Sequence, residues 1–367
     1  MDTENISTSG ALCNEEIYTL SYIYVAVSSL SLTGSASVIV ASLLRKRCFT
    51  DPVRALFLLS LADFSAAAIL IVTAIIQLLP AALFILVYEI CPYGLFLAMM
   101  FYAISFLMAI VYACETHQMV KGWRSSFASY LQGGRRKRTK LYLSYGLAWL
   151  VPLLLFLVQL ISRGWTMKDV APLHIDTTQP WLTNQSVENC SLFCSRCIIL
   201  IHKSQDFCYK FMENKTETLD EKIAFFVYLL LVFACCTLLY CRVKLWCRQH
   251  DANPKLKLEN DGFARRNIRS VYKSVRLIQL VFLVCWAPAF LLSILSFTSV
   301  TPSSVYGLFI IQALTISLQG FLDCLAYGWS RQNFRQEATG ESMLLCHNQA
   351  TAFYDDSFSL TRMNPSA

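Results

Sequence analysis

Apolar residues form long runs along the 367-residue chain, separated by shorter polar or basic segments. A helix of about 20 predominantly apolar residues spans a bilayer, and the runs reach that length. They predict seven spans, at residues 18–44, 53–79, 88–119, 141–161, 223–246, 273–297 and 303–329. We therefore expect an all-α membrane protein built as a bundle of seven transmembrane helices.

Three polar segments complete the predicted domain organisation. Residues 1–17 form an amino-terminal segment, residues 162–222 a long loop between the fourth and fifth spans, and residues 330–367 a tail. The first seven residues of the tail combine arginine with phenylalanine, a pattern typical of a short amphipathic helix on the membrane surface. The rest of the tail is polar, and we expect it to be disordered.

Composition and charge indicate the orientation. Hydrophobic residues make up 56% of the chain and charged residues 15%, with a mean hydropathy of +0.48. Of the 31 Lys and Arg residues, 24 lie on one side of the predicted topology and 7 on the other. Basic loops stay in the cytoplasm, so the amino terminus is expected outside. Because the basic residues form short blocks beside apolar runs, the net charge of +7 does not indicate nucleic-acid binding.

Glycosylation sequons agree with that orientation. They occur at Asn5, Asn184, Asn189 and Asn214, all on the predicted outer side. The plasma membrane is the expected location for such a multi-pass glycoprotein, while residence in the endoplasmic reticulum fits the same topology.

Two acidic residues stand inside predicted spans, Asp63 in the second and Asp323 in the seventh. An acid at the centre of the bilayer costs about 2.5 to 3.5 kcal/mol on insertion scales, so each should face the bundle interior and have partners. One interpretation is a protonated carboxyl group bonded to a nearby serine. The other is a hydrated cavity shared by both acids, with a sodium ion or a proton between them.

The sixth span carries Trp286 two residues before Pro288. Proline removes a backbone donor and bends a helix, so the packing of the indole and the angle of the helix become linked. A membrane switch needs such a link. The alternative is a kinked structural helix with a buried tryptophan.

These residues resemble motifs of rhodopsin-like G-protein-coupled receptors. The sequence Cys-Trp-Ala-Pro that ends at Pro288 resembles their sixth-helix motif, and Asp63 matches their second-helix aspartate. Residues Asp323 to Tyr327 resemble their Asn-Pro-x-x-Tyr motif with Asp for Asn and Cys for Pro. The resemblance implies that Trp286, Pro288 and Tyr327 act as a switch and that the two aspartates frame a sodium pocket. The missing proline predicts a straighter seventh helix.

Other motifs resemble a different branch of receptors. Gln319, Gly320 and Phe321 are similar to the Gln-Gly-Phe of secretin-like and cyclic-AMP-type receptors, and Trp149 with Pro152 resembles their fourth-helix Trp-x-x-Pro. The chain most resembles the family of orphan seven-span, G-protein-coupled-receptor-like proteins that includes transmembrane protein 116. In physical terms, a glycine permits close helix contact, and a glutamine offers a hydrogen bond inside the bundle.

The cytoplasmic end of the third span departs from the rhodopsin-like pattern. Glu115, Thr116 and His117 occupy the place of Glu/Asp-Arg-Tyr. The missing arginine implies weakened or altered coupling to a G protein. Glu115 could serve instead, as a third-helix glutamate does in secretin-like receptors, or it could be a solvated carboxylate at a helix end.

The ligand class is narrowed mainly by exclusion. The seventh span contains no lysine, which excludes a retinal Schiff base. Ala98 stands where amine receptors carry an aspartate. Aromatic and polar residues near the outer ends form either an apolar pocket for a small or lipid-like ligand or ordinary helix packing. These residues are Tyr93, Phe96, Tyr102, Trp286, Tyr306, Phe309 and Gln312.

Six cysteines are predicted outside and allow fifteen pairings. They are Cys13, Cys91, Cys190, Cys194, Cys197 and Cys208. The receptor resemblance implies a bond from Cys91 to a cysteine of the long loop, with Cys190 slightly favoured, and hence a disulfide-braced lid. Because these cysteines face an oxidising compartment and His202 is the only nearby histidine, zinc is not expected.

Enzyme signatures such as His-Glu-x-x-His, Gly-x-Ser-x-Gly and a phosphate-binding glycine loop are absent from the sequence. We expect no catalysis and no cofactor beyond the sodium ion. The expected function is an orphan receptor that passes an outside signal to a G protein or another cytoplasmic partner by movement of its sixth helix. The alternatives are a non-signalling membrane adaptor and a proton or ion pathway through the two aspartates.

Overall fold

The computed structural model describes residues 12, 14–44, 51–80, 90–122, 127–163, 197–200, 226–235, 262–298 and 302–329, and residues 83, 87, 223, 237, 238, 241, 245 and 300 singly. Within these residues every regular element is a helix and no strand is present, which confirms the all-α prediction. The four predicted sequons and the surface helix predicted after residue 329 lie outside the described residues.

The described elements follow the predicted runs along the chain. They are α1 (Asn14–Leu44), α2 (Asp51–Gln77), α3 (Ile90–Gly122), α4 (Phe127–Arg163), α5 (Phe226–Cys235), α6 (Gly262–Leu295) and α7 (Tyr306–Asp323). A 3₁₀ turn, Pro302–Val305, precedes α7, and a π-helix, Cys324–Trp329, follows it. Helices satisfy their own backbone hydrogen bonds, as a segment inside a bilayer must.

Five of the helical segments are long and apolar enough to cross a membrane. They are Glu15–Leu44, Arg54–Gln77, Ile90–Tyr112, Leu141–Ile161 and Ser303–Ala326. Two shorter apolar helices, Phe226–Cys235 and Leu280–Leu295, fall within the predicted fifth and sixth spans. The chain is therefore a multi-pass membrane protein, and the total of seven spans stays a prediction.

Contacts between helix ends give the directions of the first three helices and of α7. The Tyr306 hydroxyl at the start of α7 donates to the Glu16 carbonyl at the start of α1, at 3.4 Å, so these two helices run parallel. Gly94 at the start of α3 packs against Thr73 near the end of α2. Neighbours α2 and α3 therefore run antiparallel.

The remaining helices continue the alternation. Arg54 at the start of α2 lies over the Tyr142 ring, 4.8 Å from its centroid, so α4 enters its apolar run at the same end as α2. Phe226 at the start of α5 meets Phe297, just beyond the end of α6, with ring centroids 5.8 Å apart. Tyr102 and Phe106 of α3 meet Trp286 and Phe282 of α6 in the reverse order, so α3 and α6 run antiparallel. Tyr102 and Ser105 bond to Ile316 and Gln319 of α7 in the same order, so α3 and α7 run parallel. Within the described residues, successive helices therefore alternate in direction from α1 to α7.

Small residues bring α1, α2 and α7 close together. A Cβ added at Gly320 of α7 would lie 2.5 Å from Ser31 Oγ of α1 and 2.9 Å from Asp63 Cβ of α2. Gly34 of α1 is packed in the same way against Phe321. The close helix contact predicted for Gly320 is confirmed, and it sets the polar residues of the three helices side by side.

Candidate functional site

The two membrane-embedded acids meet in the centre of the bundle. Asp63 of α2 is 2% exposed and Asp323 of α7 is 7% exposed, and their carboxyl groups lie close enough to each other to share a hydrogen bond. Such a bond requires a proton on one of the two groups, because two carboxylates offer only acceptors. A cation between the groups would relieve the same repulsion. The structure thus brings together the two acids for which a shared cavity is one interpretation of the sequence.

A chain of hydrogen bonds runs from the tryptophan of α6 to this pair of acids. Trp286 Nε1 donates to Gln319 Oε1 at 2.7 Å, and Gln319 Nε2 donates to Ser105 Oγ at 3.2 Å. The Ser105 hydroxyl then donates to Asp63 Oδ1 at 2.7 Å. All donors point the same way, so the chain connects α6, α7, α3 and α2 and ends on the carboxyl group.

Aromatic rings hold the indole in one orientation. Trp286 is fully buried and meets Tyr102 and Phe106 of α3 edge to face, with centroids 5.4 Å and 5.1 Å apart. Phe106 also meets Phe282 of α6 at 4.8 Å. Pro288 lies within α6 two residues after the indole and is buried. A change in the angle of α6 must therefore disturb both the ring contacts and the hydrogen bond of Trp286.

Two serines of α1 extend the polar centre. Ser31 Oγ accepts a hydrogen bond from the backbone amide of Phe321 at 3.1 Å. Ser35 is fully buried, and its hydroxyl has no hydrogen-bond partner among the described residues. Both hydroxyl oxygens lie within 3 Å of the position that a Cβ added at Gly320 would occupy. The site therefore offers carboxyl and hydroxyl oxygens from α1, α2, α3 and α7, the ligand type that a proton or a hard cation uses.

Ser31 and Ser105 are the part of the site that sequence reasoning missed. Each stands in an otherwise apolar span, and on α1 the buried serines recur every seven residues, at Ser21, Ser28, Ser35 and Ser42. That spacing places them on one face of a helix. The recurrence is the signal that points to Ser35, whereas Ser31 and Ser105 do not belong to such a pattern.

Beyond Asp323 the seventh helix changes its geometry. The α-helix gives way to a π-helix over Cys324–Trp329, where the missing proline had predicted a straighter helix. The i to i+5 hydrogen-bond pattern departs from that of a regular α-helix without any proline, and the straighter helix axis stays a prediction. The backbone of Tyr327 lies in the π-helix, and its side chain lies outside the described residues.

The predicted coupling residues cannot be placed at side-chain level. Glu115, Thr116 and His117 belong to the last two turns of α3, and their side chains lie outside the described residues. Their role in coupling stays a prediction.

The pocket candidates lie toward the end of the bundle where α3 and α7 begin, which is called the outer end from here on. They differ in exposure. Tyr102, Phe309 and Gln312 are buried, whereas Tyr93, Phe96 and Tyr306 are half-buried. Two of the buried groups bind the protein's own backbone. Gln312 Nε2 donates to the carbonyl of Ile199 at 3.2 Å, and the Tyr102 hydroxyl donates to the carbonyl of Ile316 at 3.2 Å.

The disulfide at this end has a different partner from the favoured one. Cys91 at the start of α3 bonds to Cys197, with the two Cα atoms 4.7 Å apart, and not to Cys190. Cys190 lies outside the described residues. The reason is the path of the loop: the residues that enter the bundle are those that follow Cys197, so this cysteine is the one brought to α3. Spacing along the loop did not reveal that path.

A comparison with known families complements this geometry. The chain matches the family described as Transmembrane protein 116 over residues 18–350. The matched range includes the disulfide, both aspartates and the whole hydrogen-bond chain, and it confirms the resemblance to the proteins around transmembrane protein 116. The chain therefore belongs to the Transmembrane protein 116 family of multi-pass membrane proteins.

Proposed function

We propose that this protein is a seven-span receptor with its amino terminus outside, in which movement of α6 passes an outside signal to a G protein or another cytoplasmic partner. The observation that carries the proposal is the hydrogen-bond chain from Trp286 through Gln319 and Ser105 to Asp63. It couples α6, which contains both a bend-forming proline and a fully buried indole, to the polar centre.

The topology in this proposal has two independent supports. Successive helices alternate in direction within the described residues, as seven consecutive crossings require. The charge bias of the loops favours an outside amino terminus, at the plasma membrane or at an internal membrane of the same orientation.

The energies involved suit a reversible switch. A side-chain hydrogen bond between membrane helices is worth about 0.6 kcal/mol on average and at most about 1.7 kcal/mol. Breaking the contact between Trp286 and Gln319 therefore costs little, and Pro288 lowers the cost of bending α6. Two packing states that differ by so little can both be populated, and a ligand with unequal affinity for them shifts the balance.

The test removes the Nε1 donor of Trp286 and keeps a smaller aromatic ring at the same position. Trp286→Phe deletes the Nε1 donor to Gln319, and we expect basal or ligand-driven activation of a G-protein panel to change about 3- to 18-fold at equal surface level, the factor given by those energies. Trp149→Phe is the matched control, because the Trp149 Nε1 group has no hydrogen-bond partner among the described residues. Equal signalling by wild type and Trp286→Phe would refute the switch.

Thr116 motivates the alternative of a non-signalling adaptor, since it replaces the arginine that the rhodopsin-like pattern would place there. Thr116→Arg distinguishes the two functions when it is assayed beside wild type. Activation by wild type excludes the adaptor. Activation by the variant alone indicates an intact receptor scaffold with lost coupling. Silence of both, with trafficking or scaffold proteins enriched by proximity labelling, favours the adaptor.

The closeness of the two buried carboxyl groups supports a second property of the site. We propose that a sodium ion or a proton between Asp63 and Asp323 stabilises one packing state of the bundle. A complete proton or ion pathway is the remaining alternative. Ion currents or pH changes that require the wild-type protein and vanish in Asp63→Asn would favour it.

A further inference from the structure

A short piece of the long loop lies inside the bundle. Residues Cys197, Ile198 and Leu200 are 0%, 1% and 7% exposed, and both aliphatic side chains belong to the main apolar core. Burying an aliphatic side chain contributes about 1.5 to 3 kcal/mol. The segment is therefore anchored in the outer end of the bundle by two apolar side chains.

The backbone of the segment is recognised as well. The carbonyl of Ile199 accepts hydrogen bonds from the Tyr24 hydroxyl of α1 and from Gln312 Nε2 of α7, both at 3.2 Å. Tyr24 and Gln312 are themselves buried, and Gln312 Nε2 also donates to the Tyr24 hydroxyl oxygen at 3.5 Å. A carbonyl inside a membrane bundle needs such donors. Two helices thus converge on one peptide group.

The Gln312 side chain has a further acceptor at this place. Its Oε1 atom is buried and has no hydrogen-bond partner among the described residues. A carboxamide that binds a carbonyl through its nitrogen and retains its oxygen for an N–H group matches the two polar groups of a peptide bond. The chemistry of the outer end therefore suits a short apolar peptide.

The occupied end is connected to the indole of α6. Gln312 lies two turns before Gln319 on α7, and Ile316 between them accepts the hydrogen bond of Tyr102. The Tyr102 ring meets the Trp286 ring edge to face. A shift of α7 at Gln312 is thus passed to the residues that hold Trp286.

We propose that the outer end of the bundle is a site for a short apolar peptide, which the chain fills with its own residues 197–200 as a tethered internal ligand. The Cys91–Cys197 disulfide is the tether. The segment keeps the bundle in its basal state until it is displaced. Occupancy of the site is independent of the proposed receptor function, whereas the control of the basal state rests on it.

Occupancy is tested without any signalling readout. Ala313, which is 1% exposed beside Gln312, is replaced by Cys as a reporter in protein reconstituted in lipid nanodiscs, and its reaction with a thiol reagent is timed. Tyr24→Phe with Gln312→Leu removes both donors to Ile199, and we expect the reporter to react about eightfold faster, the factor for two average interhelical hydrogen bonds.

Matched variants set the background of this assay. Tyr22→Phe with Ile311→Leu changes the same helices at two exposed positions and should leave the rate unchanged. Protein without the reporter measures the reaction of the native cysteines. An unchanged rate in the variant that lacks both donors would overturn the proposal.

A synthetic peptide tests the specificity of the site. Replacing Cys91 and Cys197 by Ser removes the tether, and reduction of the purified folded protein gives the same state if that variant does not fold. In the untethered protein, the peptide Ser-Arg-Ser-Ile-Ile-Leu-Ile-His, from residues 195–202 with Ser for Cys, should slow the reporter reaction, while a scrambled peptide should not. Equal rates with both peptides would refute a peptide site.

Signalling separates the two parts of the inference. We expect Tyr24→Phe with Gln312→Leu to change basal G-protein activation at equal surface level. Faster reporter reaction with unchanged basal activity would retain the occupied site and overturn its control of the basal state. An unmoved reporter would overturn the occupied site whatever the protein signals.

Discussion

At the scale of single residues, Gln319 holds the central position in the bundle. Its carboxamide oxygen accepts from Trp286 and its nitrogen donates to Ser105, so one side chain of α7 links α6 to α3. Both bonds are buried. A side chain of the same size without polar atoms would leave a buried indole N–H without its acceptor and remove a donor from Ser105.

Gln319→Leu should therefore lower thermal stability. An unsatisfied buried polar group costs about 1 to 3 kcal/mol, and a large domain loses about 2 to 4 °C in Tm for each kcal/mol. The melting of purified protein in nanodiscs measures the change. Gln77→Leu is the control, since the Gln77 carboxamide oxygen has no partner among the described residues. A loss no greater than that of the control would contradict a structural role for this link.

Replacement of Asp63 tests the predicted sodium site. If sodium binds between Asp63 and Asp323, replacing choline chloride by sodium chloride at a concentration about tenfold above Kd stabilises the protein by about 1.4 kcal/mol, which is about 3 to 6 °C in Tm. Asp63→Asn should abolish this difference, and Glu15→Gln, an exposed acid on α1, should retain it. A wild-type Tm that is the same in both salts would leave a shared proton as the link between the acids.

At the scale of helices, α7 is the element that every other part of the site depends on. It supplies Gln319 and Asp323 to the polar centre and Gln312 to the outer end, all from one buried face. Gly320 lets this face approach α1 and α2 closely. The π-helix begins directly after Asp323, at Cys324. The polar residues spaced along α7 thus connect the outer end of the bundle to its polar centre.

Gly320→Ala should disrupt this packing. The added methyl group would lie 2.5 Å from Ser31 Oγ and 2.9 Å from Asp63 Cβ, so both neighbours must shift. Overpacking of this kind costs about 1 to 3 kcal/mol. Gly307→Ala on the same helix is the control, because nothing lies within 4 Å of its added Cβ. The fraction of monodisperse protein and its Tm should fall in the first variant only, and equal values would contradict the close approach.

At the scale of the whole molecule, the alternation of helix directions sets the two sides of the bundle. The starts of α1, α3 and α7 lie at the end that also holds the disulfide. The site at Asp63 and Asp323 lies deeper, so residues 197–200 occupy the outer end of the bundle and the polar centre lies beneath them.

The predicted orientation makes this outer end extracellular. An epitope tag before residue 1 should be detected on intact cells and a tag after residue 367 only after permeabilisation. Asn→Gln replacement at Asn5, Asn184, Asn189 and Asn214 together should abolish the mobility shift caused by N-glycosidase. Detection of the carboxyl-terminal tag alone on intact cells would reverse the topology and place the segment 197–200 in the cytoplasm.

Much of this architecture could be predicted from local sequence alone. Long apolar runs specify membrane helices because an unpaired backbone group is too costly in lipid. The same cost predicted that Asp63 and Asp323 would be buried with partners, and Gly320 was singled out for close contact because it has no side chain. These are properties of one residue or one helix, and the structure agrees with them.

Only the tertiary structure decided which groups meet. That Ser105 bridges Gln319 and Asp63, and that Cys197 rather than Cys190 bonds to Cys91, depends on the rotation of each helix and on the path of the long loop. Such choices are made by packing between elements far apart in the sequence, where hydrophobic periodicity carries no information on the partner. The apolar pattern alone therefore determined a helical membrane protein, and packing determined its polar centre and its filled outer end.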